Sequence, residues 1–226
     1  KGDVWVYSAP VSPFFPQYTL PQEEIAQMPG YRRPKAEDFA EAKRLLAEAG
    51  FPQGLTVKVS HSNAAGINPA YNEGCAILQD QFRRDFADLP NMKIECVVKA
   101  GATMSAANVD FTHEMTFWWS YAYEMDPGLQ VHLTYACKGG RNYQGNCDQK
   151  WMEMWEAQQA QFDPAKRRAL LFDLQRYTMK QHWRALMWEA KVANVYNPAL
   201  RGVEQWLGPS AGIGFNGFFQ HLWKAP

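Results

Sequence analysis

The sequence predicts an α/β fold, with a sheet flanked by helices. Two observations carry this prediction. Short stretches of period-two hydrophobicity alternate along the chain with longer stretches of helical period. Gly, Pro and Asp residues fall where one kind of stretch gives way to the other. At 226 residues the chain is long enough for a substantial core, in one large domain or two small ones.

The elements follow in order. Residues 1–34 are rich in proline and weak in periodicity, and read as an extended connector laid over a surface. A helix begins near Lys35: Phe39, Ala42, Leu46 and Ala49 share one face, Gly50 fits the left-handed position after the last turn, and Pro52 bars continuation. Residues 55–60 alternate apolar and polar, as a strand does. A second helix runs over 68–86, with Asn68 as N-cap, Pro69 at the first helical position, and a stripe of Tyr71, Cys75, Leu78, Phe82 and Phe86. A second strand puts Met92, Ile94, Cys96 and Val98 on one face. Residues 103–108 suit a short helix and 114–119 a third strand. Asp126 and Pro127 open a further helix, and two more cover 149–161 and 164–183. In the last of these Asp163 is the cap, and Leu170, Leu171, Leu174, Tyr177 and Thr178 point inward. Residues 186–196 are apolar and strand-like, the tail from Asn197 has no clear period, and the change of character near 190 marks a candidate boundary.

Charge and motifs exclude several functions. The 23 basic and 23 acidic residues balance, so no basic excess points to nucleic acid or an anionic membrane. No apolar run approaches the roughly 20 residues of a membrane span. The five histidines, His61, His113, His132, His182 and His221, are scattered and form no metal-ligand pair. No nucleophile elbow, phosphate loop or dinucleotide fingerprint occurs. The expectation is therefore a protein with no catalytic residues, no metal and no cofactor. The chain opens on Lys1-Gly2-Asp3 without an initiator Met, the pattern of a mature or truncated product, so the lack of a targeting segment argues nothing about compartment.

The block from Phe117 to Cys147 is the most informative. Cys137 and Cys147 bracket a glycine-rich loop whose spacing suits a closed disulfide, which points outside the cytosol; two free thiols are the alternative. Cys75 and Cys96 lie on predicted buried faces, as two small hydrophobes or as a helix-to-strand disulfide. In the run Phe117-Trp-Trp-Ser-Tyr-Ala-Tyr123, period two puts Phe117, Trp119, Tyr121 and Tyr123 on one face and Trp118 on the other. Such a run suits the wall of a ligand cleft, although any single member serves equally well as core. The candidate ligand-binding residues are Trp118, Trp119, Tyr121 and Tyr123, with Arg141 and Asn142 on the neighbouring loop as hydrogen-bonding groups.

The order of these features resembles a known family. Ala42-Lys-Arg-Leu-Leu-Ala-Glu-Ala-Gly-Phe-Pro-Gln-Gly54 is similar to the AKxLLxEAGyPnG segment of the family 5 extracellular solute-binding proteins, the dipeptide, oligopeptide and nickel-type receptors of ABC importers. Trp119 followed by Asp126-Pro127 resembles the family's Trp…Asp-Pro stretch. Cys137 and Cys147 resemble the disulfide loop of some dipeptide-binding members. Asn146, Cys147 and Asp148 ahead of a helix, the Asp163-x-x-x-Arg167-x-x-Leu170 helix start, and Arg201-Gly202-Val203 complete the series. The resemblance covers roughly residues 30–205, and the family's proteins are about twice as long as this chain.

The resemblance implies a periplasmic binding protein-like lobe with a mixed sheet, matching the C-terminal half only. Residues 1–190 would form the ligand-binding C-terminal lobe, with 1–34 its connector, and 191–226 would return to the first lobe, whose N-terminal half lies outside this chain. It further implies a small-molecule solute, an ABC permease as partner, no nucleic acid, and a periplasmic or extracellular location, with any membrane anchor in the missing N-terminal part. Two departures bear on the solute. Peptide-binding members place an Asp three residues after the family Trp, where this chain has Ala122, or Tyr123 with a one-residue insertion. Some dipeptide binders place an Arg before the second helix, where this chain has Asn63-Ala-Ala-Gly66. Both charged ends of a dipeptide would be poorly matched, and stacking on a neutral solute is favoured instead. The alternative is a secreted carbohydrate-active hydrolase with aromatic subsites and Glu124 and Asp126 as its acids.

Overall fold

The computed structural model describes residues 4–5, 7–63, 68–117, 126–187, 189–190, 197–202 and 223–224. In chain order the elements are β1 (Val4–Trp5), α1 (Gln22–Ile25), α2 (Ala36–Glu48), β2 (Thr56–Ser62), α3 (Asn68–Asp85), β3 (Lys93–Lys99), α4 (Gly101–Asp110), β4 (Met115–Thr116), α5 (Pro127–Tyr135), α6 (Gln149–Gln159), α7 (Pro164–Lys180), β5 (Glu189–Ala190), β6 (Leu200–Arg201) and β7 (Trp223–Lys224). They form two compact units, Gln27–Ser120 and Lys1–Ala26 with Tyr121–Pro226. The division at 190 expected from the sequence concerns the lobes of a longer protein, and returns below as a proposal.

In the unit Gln27–Ser120, β2, α3 and β3 make a βαβ crossover, the connection parallel strands require. The sheet order is β3-β2-β4 and both pairs are parallel, with Val59 opposite Cys96 on one side and Met115 on the other. The mixed sheet expected from the sequence is thus a parallel sheet here; the antiparallel pairs are the separate two-stranded β1–β5 and β6–β7. Val59, Cys75 and Ile94 form the core, and Val57, Phe82, Cys96 and Phe117 pack on it. Cys75 and Cys96 are joined in a disulfide across 6.1 Å between Cα atoms, fastening α3 to β3. Met92 and Ile94 face inward as predicted, whereas Val98, near the end of an edge strand, is 53% exposed. On α2 the apolar stripe is only half covered: Phe39 meets Phe86 edge-on at 5.7 Å, and Ala49 is exposed. The short helix expected at 103–108 extends to Gly101–Asp110 and stops where Phe111 turns left-handed, with φ 53°.

In the other unit the core is Val11, Phe15, Val131, Tyr135, Ala136, Trp151, Leu171 and Leu174. All three long helices open on an aspartate. Asp126 accepts from Leu129 N, Asp148 from Trp151 N, and Asp163 from Ala165 N and Lys166 N. The Trp151 indole donates to Thr178 Oγ1 at 2.8 Å, which ties α6 to α7. The segment read as a surface connector is buried over residues 8–13. A buried irregular backbone needs side-chain partners, and glutamines on the helices supply them. Gln175 Oε1 accepts from Val11 N and Leu20 N while its Nε2 donates to Tyr18 O, and Gln130 Oε1 accepts from Ser12 N. α7 ends at Lys180, short of the expected 183. Of the strand expected over 186–196, Glu189–Ala190 pairs with β1, and 188 and 191–196 lie outside the described residues.

Candidate functional site

Trp118, Trp119, Tyr121 and Tyr123 lie outside the described residues, as do Ala122 and Glu124. The residues on either side of them are described. Before the run, Phe117 N donates to Ser60 O at 2.9 Å and continues the ladder begun by β4. Its ring meets Tyr71 edge-on at 5.9 Å and lies over Gly74, where a Cβ would overlap the ring. Phe117 therefore packs on the core, the reading the sequence left open for any single member of the run.

After the run stands Asp126. It caps α5, and the Arg167 guanidinium reaches back from α7, one nitrogen bridging both carboxylate oxygens at 2.9 and 2.7 Å. Arg167 Nε also donates to Gln158 Oε1, and Trp155 donates to Gly128 O at the start of α5. Asp148 caps α6 with one oxygen and accepts from the Tyr177 hydroxyl with the other. The motif residues Asp126, Asp148, Asp163 and Arg167 thus act as helix caps and as the contact between them. Asp126 has both oxygens engaged, which opposes a general acid or base role for it.

The loop between Cys137 and Cys147 is closed by a disulfide, as the spacing predicts. Its backbone at Arg141 and three of its side-chain amides bond the end of α5, where the last carbonyls of a helix have no partner of their own. Arg141 N donates to Leu133 O, Gln144 Nε2 to Thr134 O, Asn146 Nδ2 to Tyr135 O, and Asn142 Nδ2 to Ala136 O. Asn142 is 8% exposed and its Nδ2 also donates to Asn146 O, so its amide holds the loop in shape. Gly139 is required here: a Cβ would stand 2.7 Å from both His132 O and Leu133 O. Arg141 is half-buried. The capping by Gln144 and Asn146 went unread in the sequence, although amides at 142, 144 and 146 directly after a predicted helix carry the signal.

Among the described residues no group of three or more His, Cys, Asp or Glu stands ready to hold a metal ion. His132 stacks on Trp155 at 4.2 Å, and burial lowers its pKa below the usual imidazole value. No described helix is long and apolar enough to cross a membrane.

No protein-family model and no curated protein matches the chain. Solved structures do. OppA from Burkholderia pseudomallei superposes with a TM-score of 0.71 at 15% identity, over 88% of this chain and 37% of that one. The murein tripeptide binding protein MppA of Escherichia coli gives 0.70 at 14% identity, over 93% and 38%. The periplasmic binding protein DppA from Helicobacter pylori, in complex with the peptide STSA, gives 0.66 at 16% identity, over 99% and 40%. The chain thus spans 37–40% of the length of these structures. With a parallel sheet flanked by helices, it has the α/β fold of the ABC-transporter periplasmic binding proteins.

Proposed function

We propose that the chain is part of the solute-binding component of an ABC importer, and that it supplies one wall of the cleft that captures a small organic solute. The observation that carries this is the match of 88–99% of the chain to receptors of that type. Residues 1–190 form the ligand-binding lobe on this reading, and 191–226 lead back to the lobe built by the N-terminal half of the longer protein. The intact protein closes by hinge motion on its solute and passes it to a membrane permease, without chemistry. The two disulfides support a periplasmic or extracellular setting.

Trp118, Trp119, Tyr121 and Tyr123 are the ligand-facing residues in this proposal, with Arg141 as a further hydrogen-bonding group. The described residues nearby in sequence support this division of labour, because Phe117, Asp126 and the Asn142 amide nitrogen are engaged in structure. With Ala122 and Tyr123 where peptide receptors of this type want an acid, the solute is neutral rather than a free dipeptide. The test is calorimetric titration of the intact protein with a panel of dipeptides and a panel of neutral oligosaccharides. Weak or absent dipeptide binding is expected, and tight dipeptide binding overturns the solute assignment. A protein that binds neither panel and carries no co-purified solute contradicts the receptor reading itself.

A further inference from the structure

We propose that Glu189 is a proton-sensitive latch that fastens the segment at residues 8–12 to strand β5. Glu189 lies on β5 opposite Trp5 of β1, so the segment before residue 8 already pairs by its backbone with the chain near residue 190. The Glu189 side chain extends that pairing. Ser8 Oγ donates to Oε1 at 3.0 Å, and Ser12 Oγ donates to Oε2 at 2.6 Å. Both oxygens of one carboxyl thus hold one segment, across 181 and 177 residues of sequence. Ser8 and Ser12 are 5% and 4% exposed, so water does not compete for these hydroxyls.

Among the described residues no Lys, Arg or His forms an ion pair with Glu189. From α5, the buried Tyr135 feels the Glu189 charge, and its hydroxyl interacts with Arg184; burial holds that phenol above its ordinary range. Gln130 on α5 and Gln175 on α7 bind the backbone of the same segment and are uncharged. A serine hydroxyl both donates and accepts, so the acid form of Glu189 fits this niche without a cation. The carboxylate form places a charge in a half-buried site, and two hydroxyls offset that cost only in part. Burial accordingly raises the Glu189 pKa against the lowering by Ser12 and Ser8. Folding favours the acid form: the latch is firm in and below the ordinary carboxylate range, and loosens as pH rises through the raised value.

The latch does not depend on the receptor reading, and its test needs no solute. Hydrogen exchange of the intact protein is followed over residues 7–15 between about pH 5 and about pH 8, corrected for the intrinsic rate. The wild type is expected to lose protection several-fold across the range, and Glu189→Gln to hold it constant. In Ser8→Ala/Ser12→Ala the transition moves to higher pH, because the hydroxyls that favour the carboxylate are gone; a merely structural role would lower protection without moving it. A flat wild-type profile, the same transition in Glu189→Gln, or an unmoved midpoint in the serine variant overturns the proposal.

Discussion

The two disulfides stand in contrasting surroundings. Cys75–Cys96 spans 21 residues and joins a helix to a strand through the core of the parallel-sheet unit, where Cys75 is fully buried. Cys137–Cys147 spans 10 residues and closes a loop with Cys147 exposed, in a unit whose core is otherwise noncovalent. The first bond links two consecutive elements, α3 and β3, within the core they share. The second reinforces a loop that three side-chain amides already fix to the end of α5. The difference teaches that a cysteine pair easily read from a short spacing is the more redundant of the two.

The comparison is broken most directly by testing whether the helical unit relies on packing. Trp151 is fully buried and its indole is bonded to Thr178. Trp151→Ala is expected to lower stability in urea unfolding by about 4 kcal/mol. The disulfides come next. Cys75→Ala/Cys96→Ala should cost about 3 kcal/mol and Cys137→Ala/Cys147→Ala about 2 kcal/mol, the longer closed loop losing more. A reversed order in the same unfolding assay would contradict the contrast. Removing a cap sharpens it: Asn146→Ala strands Tyr135 O and should cost about 1–2 kcal/mol. Because cap and disulfide hold the same loop, combining Asn146→Ala with Cys137→Ala/Cys147→Ala should deviate from additivity by at least about 0.5 kcal/mol.

The smallest effect is electrostatic. Arg176 on α7 holds Glu24 on α1 through two hydrogen bonds, and these lower the Glu24 pKa below 4.5. A depressed folded-state value stabilises above the unfolded value and is lost as pH falls through the depressed one. The pair is partly exposed, so Arg176→Ala should cost less than about 1 kcal/mol at neutral pH. The difference from wild type should shrink in acid, as read by thermal unfolding at several pH values.

Much of the fold was legible because its signals are local. Asp126-Pro127 and Asp163-Pro164 announce helix starts by the chemistry of a single turn, and both caps form. The stripe Tyr71, Cys75, Leu78 and Phe82 likewise belongs to one real helix, and Phe86 follows one residue past its end. What escaped depends on partners distant in sequence. The burial of residues 8–13 rests on Gln175, 164 residues from Val11, and no local pattern carries that. The Cys75–Cys96 pairing depends on how a crossover helix is rotated over its sheet, which periodicity leaves open. At the candidate site, Asn142 looked like a ligand group because it is polar and on a loop. The structure shows its Nδ2 donating to two backbone carbonyls, a structural use that the sequence does not signal.

The central claim is that the aromatic run holds a solute while the residues around it hold the fold. Native mass spectrometry of the intact protein, purified without denaturation, tests it most directly. The account predicts a bound small organic molecule that persists in Asn142→Ala and is lost in Trp118→Ala/Trp119→Ala. A bound molecule that survives the loss of both tryptophans, or no bound molecule at all, contradicts it.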